Sequence, residues 1–267
     1  MTRLQEGERK VFAGDDIEAL LANERWFVRP VRRGDPKMRL FCLPYAGGHG
    51  RAYCSWGERL PPNVELWPVE LPGRWGRVRE VPVRSMEALI DGLGPAIARY
   101  TELPYAIFGY SFGALVAFEL ARWMRRHAQR LPERLLLASL VPPQEIAHGR
   151  LQLHTLADDE LIQQVGARYA ALPAAVVQDG SMRSIVLRTL RADLACIETY
   201  EYVHEERLDV PIHVYAGDRD RAAPSHLLEG WRLQSTRDVR IEVLPGGHFF
   251  LPLSDQRFID TLGPFLR

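Results

Sequence analysis

An α/β domain with a mostly parallel central sheet, helices on both faces and a helical insertion is what this sequence predicts, on three observations. Apolar runs of strand length alternate with amphipathic runs of helix length, as in a parallel sheet covered on both faces. One long interval, between Pro143 and Asp209, breaks the alternation with helical patterns and no strand. A Gly-x-Ser-x-Gly pentapeptide over 109–113 falls where one strand gives way to a helix.

Taken in order, residues 1–37 are charged, show no sustained period and end in RRGDPK. They read as an extension draped on the surface, with a short helix at 16–23. MRLFCLP (38–44) is a buried strand stopped by Pro44 and the glycines that follow. VELWPVEL (64–71) is a second strand, which Pro68 places near an edge. Ser85 caps a helix running to about Tyr100, with Glu87 in its first turn. PYAIFGY (104–110) is a strand and 114–126 an amphipathic helix. LLLASLVP (135–142), VPIHVYAG (210–217) and VRIEVLP (239–245) complete the strands, and helices fit 224–233 and 254–266. Within 143–209, ADDELIQQVGARYAAL and SMRSIVLRTLRADLACIETYEY are the helical patterns. A crossover between neighbouring strands needs only about a dozen residues. The surplus is an insertion at the carboxyl end of the sheet, where insertions cover sites. The expected organisation is an extension over 1–37, a core from 38–142 and 210–267, and a helical lid over 143–209.

The 267 residues are enough to bury a sizeable core, and 46% hydrophobic with 25% charged residues is ordinary globular composition. Lys+Arg and Asp+Glu both number 34, so no net field draws the chain to nucleic acid or an anionic membrane, and neither is an expected partner. Cys42, Cys54 and Cys196 are scattered, with no CxxC pair and no metal spacing. With a charged, signal-free N-terminus, they point to a reduced, cytoplasmic protein.

Gly109-Tyr110-Ser111-Phe112-Gly113 makes Ser111 the candidate nucleophile. Small residues permit a sharp strand-to-helix bend that exposes the serine, with unpaired N–H groups behind it. A serine hydroxyl needs a base to take its proton. Of eight histidines, His248 lies in a glycine-rich loop after the final strand, as the α/β-hydrolase order Ser…Asp…His requires. His213 belongs to a core strand. His127, His148, His154 and His204 read as solvated, and His226 is a poor second choice. The acid follows the penultimate strand, in Gly217-Asp218-Arg219-Asp220. Asp220 is the favoured orienting acid, with Asp218 tying the turn. For the oxyanion, the expected donors are the amides of Phe112 and Tyr45, with Ala46 next after Tyr45. His49-Gly50 lacks the GK[ST] of a phosphate loop, and that reading fails.

Together these residues resemble the type II thioesterases, the stand-alone editing hydrolases of polyketide and nonribosomal peptide assembly lines. The likeness runs from about Trp26 to Arg267 through LFCLPYAGG, VELPGRWGR, GYSFGA, LRADLACIETYEY, GDRD and GGHFFL. The N-terminal stretch is longer than that family usually shows, and the Trp75 of VELPGRWGR is a departure that the residues do not explain. The resemblance implies hydrolysis of acyl groups stalled on phosphopantetheine arms of carrier domains, with Ser111, Asp220 and His248 as the catalytic residues. The arm belongs to the partner, so no bound cofactor is implied. Acidic carriers would favour a basic mouth. Arg122, Arg125, Arg126 and Arg130, or Arg74, Arg77 and Arg79, are candidates, although a solvated charged face is the plainer reading. Leu187, Leu190, Leu194 and Ile197 line an acyl pocket or pack on the core, packing being favoured. A small-molecule esterase, an acyltransferase or cyclase, and a non-catalytic module on the same fold stay open at this point.

Overall fold

The computed structural model describes residues 24–28, 33–146, 152–169, 180–250 and 256–266. The extension's expected helix at 16–23 lies outside them, as does His148. Six strands form one sheet: β1 Met38–Leu43, β2 Val64–Pro68, β3 Tyr105–Tyr110, β4 Arg134–Ala138, β5 Ile212–Gly217 and β6 Val239–Leu244. Their order is β2-β1-β3-β4-β5-β6, and every neighbouring pair is parallel. The register sets Leu43 beside Gly109, Tyr110 beside Ala138 and Gly217 beside Leu244. All strands therefore end along one edge, where open parallel sheets place their sites.

Successive side chains of a strand point to opposite faces, and here both faces are apolar. Phe41, Ile107, Leu135, Leu137 and Val214 turn toward helices α1 (Met86–Ala98) and α2 (Phe112–Arg126). Leu40, Phe108, Leu136 and Tyr215 turn the other way, toward Tyr53, Trp56 and α5 (Gln256–Leu262). The Ser85 hydroxyl caps α1 by accepting the Ala88 N–H at 3.1 Å.

Pro68 closes edge strand β2. The described start of the extension is no loose drape there: Val28 N–H donates to Pro68 O at 2.9 Å and Glu70 N–H to Trp26 O at 2.8 Å. Trp26 and Phe27 are buried, with the Phe27 ring edge-on to Trp67. Two aromatic residues that can cover an edge outweigh the polar composition around them.

The stretch expected as a helix over 224–233 is a 3-10 helix, Ser225–Leu233, and a second covers Gly50–Glu58. Each buries residues three apart, Leu228 with Trp231 and Tyr53 with Trp56, which lie one above the other at three residues per turn. Between β4 and β5 lie α3 (Asp158–Tyr169) and α4 (Gly180–Glu198). α4 stops short of the expected Tyr202. Glu205, beyond it, is held instead by Arg122, Arg125 and Arg126.

Replacing Ser85 with Ala removes the α1 cap without touching the core. We expect a loss of about 1 kcal/mol, read as a lower midpoint in urea denaturation with unchanged m-value.

Candidate active site

The bend after β3 leaves room for nothing larger than glycine around Ser111. A Cβ on Gly109 would stand 2.2 Å from the Gly113 carbonyl oxygen, and one on Gly113 would stand 2.3 Å from Leu43 O. Ser111 itself has φ 52 and ψ −113, in a region that L-residues rarely occupy. Its N–H donates to Ala138 O at 2.7 Å and its C=O accepts from Ala114 at 2.9 Å. Strand and helix thus fix the backbone on both sides of the hydroxyl.

Ser111 Oγ lies 2.9 Å from His248 Nε2. On the far side of the ring, Nδ1 lies 2.9 Å from Asp220 Oδ2 and 3.1 Å from Oδ1. Both His248 and Asp220 are buried. Asp220 Oδ1 also accepts the N–H groups of Ala222 (2.9 Å) and Ala223 (3.2 Å). Burial by itself raises the Asp220 carboxyl. The hydrogen bond and charge of His248, joined by those two amides, outweigh it and hold the group below its ordinary value. Asp218 faces elsewhere and accepts the Gly246 N–H at 2.7 Å, tying β5's turn to the His248 loop. The His248 carbonyl accepts two hydroxyls, Ser139 at 2.7 Å and Tyr110 at 2.8 Å. Such an arrangement can move a proton from a serine hydroxyl to an imidazole and hold the resulting charge.

Phe112 is the first residue of α2, and an N–H at that position has no intrahelical acceptor. Tyr45 and Ala46 border the crevice at Ser111 and His248, opposite Leu190, Leu194 and Ile197 of α4. Leu187, Leu190 and Leu194 pack with Leu161 and Val165 of α3, and the last two also face the crevice. Beyond Tyr45 and Ala46 opens an apolar chamber of about 430 Å³, walled by Trp75, Val78, Met182 and Ile185 among others.

Sequence reasoning missed what holds the Tyr45 loop. The Gly47 N–H donates to Asp193 Oδ2 at 2.8 Å, and Arg74 Nη1 donates to Gly48 O at 2.8 Å. The two side chains form a bidentate pair at 2.7 and 2.9 Å, both buried. One ion pair therefore bolts α4 to the loop. The signal was an aspartate on the apolar stripe of a helical pattern, three residues after Leu190.

The remaining histidines stand apart from this site. His213 packs on Tyr215 and Phe265, and burial, helped by Arg240 and Arg134, lowers its imidazole to about 4. His154, expected as solvated, is bonded to Glu198 at 2.5 Å, and His127 stacks on Trp123. His204 and His226 are exposed. Among the described residues no His, Cys, Asp or Glu cluster forms a metal site, and no helix is long and apolar enough to cross a membrane.

Residues 38–266 match the family described as "Thioesterase domain". The chain is 35% identical over 243 residues to the gramicidin S biosynthesis protein GrsT of Aneurinibacillus migulanus, spanning 91% of this chain and 94% of GrsT. The fold is similar to the type II thioesterase BorB from the borrelidin biosynthetic cluster, with TM-score 0.81, 29% identity, and coverage of 91% of this chain and 98% of BorB. It is also similar to RedJ, a thioesterase from the prodiginine pathway of Streptomyces coelicolor, with TM-score 0.79, 35% identity, and coverage of 86% and 90%.

Asp193→Ala leaves the Arg74 guanidinium buried without its counter-charge. We expect a loss of about 3–5 kcal/mol of stability, measured by chemical denaturation. A loss under about 1 kcal/mol, typical of exposed pairs, would show that the pair is solvated in the working protein.

Proposed function

The chain belongs to the thioesterase domain family, hydrolases of thioesters, and we propose that it removes stalled or aberrant acyl groups from the phosphopantetheine arms of carrier proteins, with Ser111 as nucleophile. The observation that carries the mechanism is the unbroken line from Ser111 Oγ through both nitrogens of His248 to Asp220. His248 Nε2 takes the hydroxyl proton as Oγ attacks the thioester carbonyl, and Asp220 stabilises the imidazolium. The tetrahedral oxyanion is held by the amides of Phe112 and Tyr45. Collapse breaks the C–S bond, the imidazolium protonates the departing thiolate, and the acyl group rests on Ser111. Water then gives its proton to His248 and its oxygen to the carbonyl, releasing the acid and restoring the serine. The chain supplies side chains and amides only, and the thiol belongs to the carrier's arm.

Two features support the carrier as partner. GrsT is named for gramicidin S biosynthesis, and BorB comes from a biosynthetic cluster as a type II thioesterase. The chamber beside the crevice is apolar and wide enough for a long, flexible substrate. In our reading the helical segment 143–209 is a lid over that chamber. Cys42, Cys54 and Cys196 are all unpaired, which suits a reducing cytoplasm.

Ser111→Ala should lower kcat on an acyl-pantetheine thioester about a thousand- to a million-fold while KM moves little. Near-normal turnover would sink the assignment. Asp220→Asn should cost about 10⁴-fold, whereas Asp218→Asn, which only loosens the turn at Gly246, should stay within about tenfold of wild type. Both are read from steady-state kinetics, and a reversed ranking would move the orienting role to Asp218.

A further inference from the structure

The apolar chamber has a second end, and its surroundings are charged. Trp75 stands there, 53% exposed and at φ 44, with the His49 ring 4.9 Å away and the Arg51 guanidinium 5.2 Å from its centroid. Past Trp75, sharing Val78 with the chamber, lies a recess of about 570 Å³ whose wall carries Arg25, Arg51, Arg77, Arg79, Glu70 and Glu80.

Among the described residues the charges in this recess do not cancel. Arg77 is consumed internally: Nε and Nη2 bind Glu80 at 3.0 and 2.6 Å, and Nη1 donates to Glu70 O at 3.0 Å. Glu70 is buried against the Gly50 N–H, and burial pushes its carboxyl up to about 7 despite Arg74, Arg51 and Arg77 nearby. It therefore supplies only part of a negative charge near neutral pH. Arg25, Arg51 and Arg79 are exposed and have no carboxylate at ion-pair distance among the described residues. Other arginines differ: Arg74 is paired with Asp193, and Arg122, Arg125 and Arg126 with Glu205. Of the arginines expected at a basic mouth, Arg74 and Arg77 are thus paired internally, while Arg79 is exposed with no carboxylate at ion-pair distance among the described residues.

We propose that this recess binds the phosphate of the phosphopantetheine arm while the arm lies along the chamber and its thioester reaches Ser111. The proposal rests on the carrier-arm thioesterase reading above. Its geometric basis is adjacency: Tyr45 and Ala46 border both crevice and chamber, and Val78 borders both chamber and recess. Planar guanidinium forks match phosphate oxygens in pairs, and phosphate is anionic throughout the neutral range. The path between suits the arm's mixed character. Its walls are mostly apolar, yet His49 Nδ1 is buried in them with no hydrogen-bond partner among the described residues.

The test compares kcat/KM for acetyl-pantetheine, acetyl-4′-phosphopantetheine and an acetylated carrier protein, using wild type and the triple variant R25Q/R51Q/R79Q. Wild type should prefer the phosphorylated arm over the bare arm by about tenfold at low salt, and the preference should shrink as ionic strength rises. In the triple variant that ratio should fall toward one. A wild-type ratio near one, or a ratio the substitutions leave intact, overturns the proposal while the thioesterase reading stands. A loss confined to the carrier-protein substrate also overturns it, and places the arginines against the carrier's own acidic surface. If wild type turned over neither arm thioester, the underlying reading would fail and take this one with it.

Discussion

The closeness of α2 to β1 and β3 behind Ser111 is the constraint on which the rest depends. Two glycines without Cβ atoms let the helix start within 2.3 Å of where a side-chain carbon would meet backbone. The serine takes up the resulting turn at a positive φ, a cost of order 1–3 kcal/mol that persists only where packing over-determines it. Here the packing is the buried sheet on both sides of β3 and the buried face of α2. The hydroxyl, the α2 N-terminus and the ends of β1, β5 and β6 are all referred to that one approach.

Much of this was legible in the residues. Strand runs are apolar because both sheet faces are covered, so they stand out without any alternation of polar residues. The Ser111, Asp220 and His248 loops each follow a strand, and strand ends are marked by glycine. What could not be read was partnership at a distance. Arg74 and Asp193 lie 119 positions apart, and neither sequence neighbourhood announces the other. Trp26 and Phe27 sit in a polar stretch, and only the β2 edge explains their burial. The helix over 225–233 has the right length but the wrong pitch, because the spacing of Leu228 and Trp231 satisfies three residues per turn and offers nothing further to separate the two.

Charge shows the same limit. Arginine clusters are conspicuous in the sequence, yet their positions along the chain do not say which are already neutralised. Arg122, Arg125 and Arg126 converge on Glu205, far along the chain, and anchor the stretch that leads from α4 to β5. Arg51 by contrast has no carboxylate at ion-pair distance among the described residues and lies over Trp75, a residue whose exposure and strained backbone sequence alone leaves unexplained.

His248 is fastened to the fold through its own peptide group, since Tyr110 and Ser139 both donate to its carbonyl. Burial raises the Tyr110 hydroxyl well above its ordinary value, so it stays a donor across the working range. The imidazole is then a short arm on a rigid mounting, able to serve atoms on either side by small rotations while the loop stays put. The freedom that a mobile base would surrender at each turnover is lost once, on folding. The mounting would hold any residue at that position in place, and only the ring decides whether a proton moves.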